Sequence, residues 1–209
     1  LISSNEFENK KSIKMLNSLD YKKKYKELPK KNNNTLHIIK KYLIDKRKID
    51  NNLVNKVIND NMLYSDNNSN CIFLNRNSTF CMIRGTNTNY RYTSCAGEPD
   101  FIIYENRESI ENRDLYLFES PIDALSFISL NKYIKGIFIS INGNMMINKI
   151  KNIDNFKDIN ILYICFDNDK AGNDMYNIII EQKILNIYKI KRLKPIMKDY
   201  NEDLINLMN

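Results

Sequence analysis

Apolar positions change their texture twice along the chain. Residues 1–34 are polar and Lys-rich, and they close on Leu28-Pro29-Lys30-Lys31-Asn32-Asn33-Asn34, a linker or loop composition. From Thr35 to Tyr64 the apolar residues Leu36, Ile39, Tyr42 and Leu43, then Leu53, Val54, Val57 and Ile58, recur at helical spacing. The spacing predicts two short helices, broken near Lys48-Ile49-Asp50, with Asp50 or Asn51 capping the second. Cys71-Ile72-Phe73-Leu74 and Phe80-Cys81-Met82-Ile83-Arg84 are short β-type runs joined by Asn75-Arg76-Asn77-Ser78-Thr79, which predicts a hairpin ending at Gly85. Tyr90-Arg91-Tyr92-Thr93 and Phe101-Ile102-Ile103-Tyr104 read as further strands.

From about residue 113 strands and helices alternate. Leu115-Tyr116-Leu117-Phe118 is a continuous apolar run, as expected of a strand buried on both faces. Pro121 follows where a first helical turn tolerates it, and Ile122, Leu125, Phe127 and Ile128 continue a helix. Gly136-Ile137-Phe138-Ile139-Ser140-Ile141 predicts a second buried strand closed by Asn142-Gly143, and residues 159–166 predict a third. A helix from Ala171 to Leu185 and a strand from Ile187 to Leu193 complete the series. This order implies an α/β fold, a mainly parallel sheet with helices on both faces, preceded by a smaller α+β accessory subdomain. The expected organisation is a basic arm at 1–34, the accessory subdomain at 35–112 and the α/β domain at 113–209.

Charge divides the chain differently. Residues 1–50 carry 14 basic and 6 acidic side chains, whereas residues 51–209 carry 18 and 19. A basic arm ahead of a near-neutral body suits attachment to a polyanion such as nucleic acid, and equally a solvated Lys-rich surface. No apolar run approaches the ~18 residues of a membrane span, and no signal-peptide pattern opens the chain, so membrane and secreted classes are excluded and a cytoplasmic location is expected. Leu1 in place of Met suggests a fragment. The four cysteines form no CxxC pair and the only His is His37, so reduced, packed thiols are expected rather than a zinc site.

In open parallel sheets ligands gather beyond the carboxyl ends of the strands, and acidic residues stand at two of those ends. Strand 115–118 runs into Glu119, and strand 159–166 runs into Asp167-Asn168-Asp169, with Lys170-Ala171-Gly172 opening the next helix. Two Asp residues one apart at a strand terminus can point their carboxylates to one side, where they repel unless a hard cation such as Mg²⁺ lies between them. The competing reading is ordinary helix capping.

These residues carry a resemblance. Glu119-Ser120-Pro121-Ile122-Asp123-Ala124 resembles the E-G-x-x-D-A motif of Toprim domains, the module shared by primases and type IA and II topoisomerases. Ser140-Ile141-Asn142-Gly143 resembles the small-residue turn after the second Toprim strand. Phe166-Asp167-Asn168-Asp169-Lys170-Ala171-Gly172 is similar to the f-D-x-D-x-A-G form of the primase branch. Lys198-Asp199-Tyr200-Asn201-Glu202-Asp203-Leu204 resembles the K-D-x-N-E-x-L segment that closes the domain in plasmid and mobile-element proteins. Upstream, Tyr42-Leu43-Ile44-Asp45-Lys46-Arg47-Lys48-Ile49 and Arg84-Gly85-Thr86 resemble segments of the accessory domain preceding Toprim, so the likeness covers roughly residues 25–209. Ser120 departs from the usual Gly, and nothing among the 13 Tyr marks a topoisomerase nucleophile.

The resemblance implies a catalytic core like that of bacterial DNA primase. It makes Glu119 a general acid/base and possible metal ligand, and it makes Asp167 and Asp169 holders of Mg²⁺ or Mn²⁺. Asp199 adds charge to that site or lies in a solvated loop. Asp123 either supports Glu119 or caps the first helical turn. Lys170, Lys198 and Arg84 are expected to meet nucleotide or DNA phosphates, with a surface salt bridge the alternative for Arg84. Gly143 and Gly172 are expected to support close backbone approach. The partners implied are single-stranded template DNA, nucleoside triphosphates and other replication or mobilisation proteins. Three functions follow: a primase-type nucleotidyltransferase first, a Toprim metal-dependent nuclease or nickase second, and a non-catalytic nucleic-acid-binding module of a mobile element third.

Overall fold

The computed structural model describes residues 25–87, 89, 92–106, 114–141, 150, 156, 159–182, 185 and 188–208. The basic arm, apart from residues 25–34, and the turn at Asn142-Gly143 lie outside these residues, so the part expected for Gly143 is proposed only from sequence. No helix among the described residues is long and apolar enough to cross a membrane.

A short 3-10 turn at Asn33–Thr35 leads into helix α1, Leu36–Lys41, which widens into a π-helical turn at Tyr42–Lys46. The helix stops where Lys48 adopts a left-handed φ of 59°. Asp50 then caps α2, Asn51–Asn59, its Oδ1 accepting the backbone N–H groups of Asn52 and Leu53. The break and the cap are those the sequence predicts. Four strands follow: β1 Leu63–Ser65, β2 Cys71–Leu74, β3 Phe80–Arg84 and β4 Thr93–Gly97, paired in that order as an antiparallel sheet. The hairpin is in the predicted register region, with Cys71 opposite Arg84 and Leu74 opposite Cys81. β1 is a strand that the sequence pattern does not single out. Asn61, at a φ of 57°, turns the chain out of α2 so that Leu63–Ser65 can pair with β2. Gly97 ends β4 at a φ of 82° with Thr79 O at 2.0 Å from where a Cβ would stand, a position only Gly can occupy.

The second sheet has the order β5-β7-β6-β8-β9, from β5 Ile102–Asn106, β6 Leu115–Phe118, β7 Gly136–Ser140, β8 Leu162–Ile164 and β9 Ile190–Arg192. Its three inner pairings are parallel and β5 is an antiparallel edge. The α/β fold with a mainly parallel sheet is therefore as expected. β5 is not part of the accessory sheet, although it falls within the stretch 35–112: it pairs antiparallel with β7, Ile102 opposite Ser140 and Asn106 opposite Gly136.

Helices α3 Pro121–Leu130 and α5 Tyr200–Met208 cover one face, and α4 Lys170–Glu181 covers the other. Strand alternation sorts the side chains. Tyr116, Phe118 and Phe138 join Leu125, Phe127, Tyr200 and Leu204 in one core, whereas Leu115, Leu117, Ile137 and Ile139 join Met175 and Ile179 in another. The first core continues without interruption into Ile39, Leu43, Val54, Phe73 and Phe80 of the accessory unit. Burial of that shared apolar surface fixes the two sheets relative to one another.

Candidate active site

The connections after β6 and β8 and the entry to α5 meet at the carboxyl edge of the second sheet, and each begins with a capping residue. Ser120 caps α3, its Oγ accepting Asp123 N–H at 3.3 Å. Asp169 caps α4, its Oδ1 accepting Gly172 N–H at 3.0 Å. Asp199 caps the first turn of α5, its Oδ1 accepting Glu202 N–H at 2.7 Å. Three helix N-termini thus converge on one edge, and their partial positive charge favours the carboxylates gathered there. The capping expected as the competing reading of the DxD turn is present at Asp169.

Glu119 reaches across to the DxD turn: its Oε1 accepts the Asp167 backbone N–H at 3.0 Å. The approach is close enough that a Cβ on Gly172 would stand 2.2 Å from Asp167 O and 2.9 Å from Glu119 Oε1. Gly172 is what lets the first turn of α4 pass beneath both acids. Asp123 is buried, accepts the Ser120 hydroxyl at 2.5 Å, and is pushed up to about 7 by burial and by the negative charges of Asp199 and Asp167. Asp167 is also pushed up to about 7, by burial first and then by Glu119, Asp199 and Asp169, with Lys198 acting in the opposite sense. Burial raises Glu119 as well, reinforced by Asp169 and Asp123 and opposed by the hydrogen bond from Asp167 and by Arg192.

Five carboxylates therefore share one field: Glu119, Asp123, Asp167, Asp169 and Asp199. Their donor set is all hard oxygen, the chemistry that suits Mg²⁺ or Mn²⁺, and their mutual repulsion is what a divalent cation would relieve. Among the described residues no three acidic, His or Cys side chains are already drawn into a ligand group. One oxygen each of Glu119, Asp169 and Asp199 is instead engaged with backbone N–H groups.

Cations border the cluster. Lys198 Nζ is 3.8 Å from Asp169 Oδ2, and its carbonyl accepts Asn168 N–H at 2.7 Å, tying the DxD turn to the loop before α5. Lys170 is exposed at the start of α4. Arg84 does not enter the acidic cluster. Its Nε faces the Tyr42 hydroxyl at 3.4 Å and its Nη1 donates to Thr93 Oγ1 at 3.0 Å, on the accessory sheet.

Three contributors are not among the site residues expected from sequence. Arg47 donates from Nε to the same Tyr42 hydroxyl at 2.8 Å and from Nη1 to Asn201 Oδ1 at 2.9 Å. Asn201, buried, donates to Arg47 O at 2.8 Å and to Ser126 Oγ at 2.9 Å. It joins the accessory unit to α3 and to the acidic edge. Arg192 donates from Nη1 to Ile164 O and from Nη2 to Asp167 O, both at 3.0 Å, and its guanidinium lies over Phe166 and Tyr176. It clamps the end of β8 from which the DxD turn springs. Asn201 and Arg47 lie within the segments 198–204 and 42–49 that resemble Toprim-associated motifs; a single Arg ending a half-apolar strand is the only sequence signal for Arg192.

Residues 116–204 match a family described as Toprim-like, and residues 41–103 match a family described as a protein of unknown function, DUF3991. No curated protein sequence matches the chain. Among solved structures the chain is similar to the primase fragment of the bacteriophage T7 primase-helicase protein. The identity is 15% and the TM-score 0.55, over 79% of this chain and 70% of that one. It is also similar to a chain in the structure of the bacteriophage T7 lagging-strand DNA polymerase interacting with primase domains bound to an RNA/DNA hybrid and dTTP. There the identity is 13% and the TM-score 0.53, over 78% of this chain and 84% of that one.

Proposed function

We propose that this chain, whose residues 116–204 match a Toprim-like family, is a primase-type nucleotidyltransferase extending a primer on single-stranded DNA. The observation that carries this reading is the meeting of Glu119 with the Asp167–Asp169 turn beneath three helix N-termini. Asp167 and Asp169, with Glu119 and Asp199 beside them, are the residues that would hold Mg²⁺ or Mn²⁺. Such an ion neutralises phosphate charge during phosphoryl transfer.

The rest of the proposal concerns the chain's own groups. Glu119, half-buried and raised above its ordinary value, would take a proton from an attacking hydroxyl. Lys170 and Lys198 stand where the phosphates of a nucleoside triphosphate would approach the acidic edge. Arg47 and Arg84 share the Tyr42 hydroxyl, and both guanidinium groups are suited to a phosphate of template or nucleotide. Asn201 sets Arg47 relative to the acids, which makes it a positioning residue.

The test is incubation of the chain with single-stranded DNA, nucleoside triphosphates and Mn²⁺. Short oligonucleotide products that vanish in Glu119→Gln and Asp167→Asn are expected. Folded protein that yields no product but nicks plasmid DNA in a Glu119-dependent way would assign cleavage instead. Salt-sensitive DNA binding without turnover would leave a binding module.

A further inference from the structure

The loop between β9 and α5, residues 193–199, holds two large apolar side chains out of the core beside the acidic edge. Ile196 is 89% exposed and Met197 43% exposed. Single exposed apolar residues are ordinary on a protein surface. What sets this pair apart is how firmly the backbone beneath it is held. Asp203 accepts Ile196 N–H on Oδ2 at 2.9 Å and Met197 N–H on Oδ1 at 2.6 Å. Glu202 accepts Lys198 N–H at 3.3 Å, Lys198 O accepts from Asn168, and Leu193 is bonded at both backbone groups, its N–H to Ile164 O and its carbonyl to the Tyr200 hydroxyl. Pro195 is buried and stiffens the approach. The two side chains are therefore displayed by a fixed loop that is itself hydrogen-bonded to the DxD turn.

The neighbours on either side are cations. Lys194 is exposed before the pair, and Lys198 follows it with Nζ near Asp169. Apolar surface flanked by cations along one short segment matches a strand that presents alternating bases and phosphates. A paired base has no free face at such a position, whereas a single-stranded base has one.

We propose that Ile196 and Met197 form an apolar platform against which one base of single-stranded nucleic acid stacks, with Lys194 and Lys198 taking the adjacent phosphates. The proposal rests on the nucleic-acid reading given above and adds the site that would grip the strand by its base rather than its backbone.

The chain contains no Trp, so Ile196→Trp supplies a sole indole at an exposed position that tolerates its size. A base-bearing single-stranded oligodeoxynucleotide is expected to quench this indole, and an abasic strand of equal length and charge is expected not to. In anisotropy titrations of the same labelled strands, Ile196→Ser/Met197→Ser should weaken binding to the base-bearing strand about five- to tenfold and leave the abasic strand unchanged. Equal quenching by both strands, quenching by neither, or an unchanged base-to-abasic preference in the double variant would overturn the platform. Should the wild-type chain make product while showing no such preference, the platform alone falls. Should it bind neither strand and make no product, the nucleic-acid reading falls and takes the platform with it.

Discussion

The two sheets solve opposite electrostatic problems. The antiparallel sheet β1–β4 pairs strands in their chain order, and the groups the accessory unit offers near the junction are cationic: Arg84 on β3 and Arg47 at the end of the α1 segment, both resting on the Tyr42 hydroxyl. The parallel sheet must return over its faces through helices, and the ends of β6 and β8 each deliver a side chain to a helix N-terminus. There the offered groups are anionic, and the helix ends make that tolerable. The carboxylate cluster thus belongs to the parallel sheet, and the two guanidinium groups to the accessory unit. Asn201 and the shared core bring the two surfaces together.

Breaking the acidic side should have the largest effect. Glu119→Gln is expected to lower metal-dependent turnover by about 10²–10⁴-fold with little change in thermal stability, measured by product formation and by melting. Breaking the junction comes next. Asn201→Ala strands Arg47 Nη1, Arg47 O and Ser126 Oγ in a buried place, and should cost about 2–3 kcal/mol in denaturant unfolding while also raising the KM for nucleotide. Gly172→Ala drives a methyl into Asp167 O. It should cost about 1–3 kcal/mol and reduce kcat more than KM, because Glu119 and Asp167 are both displaced.

The acidic side also sets a pH dependence. Asp123 and Asp167 hold protons more tightly in the folded chain than in the unfolded one, each near 7. The folded state thus binds more protons between about pH 4 and pH 7. Stability from these groups is complete below the unfolded value near 4 and is lost as pH rises through about 7. Melting without divalent metal should fall across that window, by at most about 1.4 kcal/mol per pH unit for each carboxylate. Asp123→Asn should flatten the fall. The smallest effect is expected on the cationic side. Arg84→Gln should weaken DNA binding almost uniformly across sequences and reduce the salt slope by about 1, leaving the pH dependence untouched.

Much of this was legible before any coordinates. Continuous apolar runs marked β6 and β7 because a strand buried on both faces has no polar side to show, while Pro121 in a first turn and Asp50 as a cap announced their helix starts. The segments that misled were short ones. Leu63–Ser65 is too short to show a strand period of its own, and Ile102–Asn106 is adjacent in sequence to one sheet and paired in space with the other. Glu119, Asp167 and Asp169 stood out by their positions after apolar runs. Arg192 did not, since its partners are backbone carbonyls that carry no mark in a sequence.

The amino-acid sequence by itself determined the alternation of strand and helix, the capping residues and the acids that follow the strands, because propensity, capping and hydrophobic burial act within a few residues of one another. Only the tertiary structure decided which acids share a field, that Arg47 is held by Asn201 from 154 residues away, and that β5 crosses to the second sheet. Those outcomes depend on distances between segments remote in the chain, and charge repulsion, close approach at Gly172 and a common core are felt only once those segments have met.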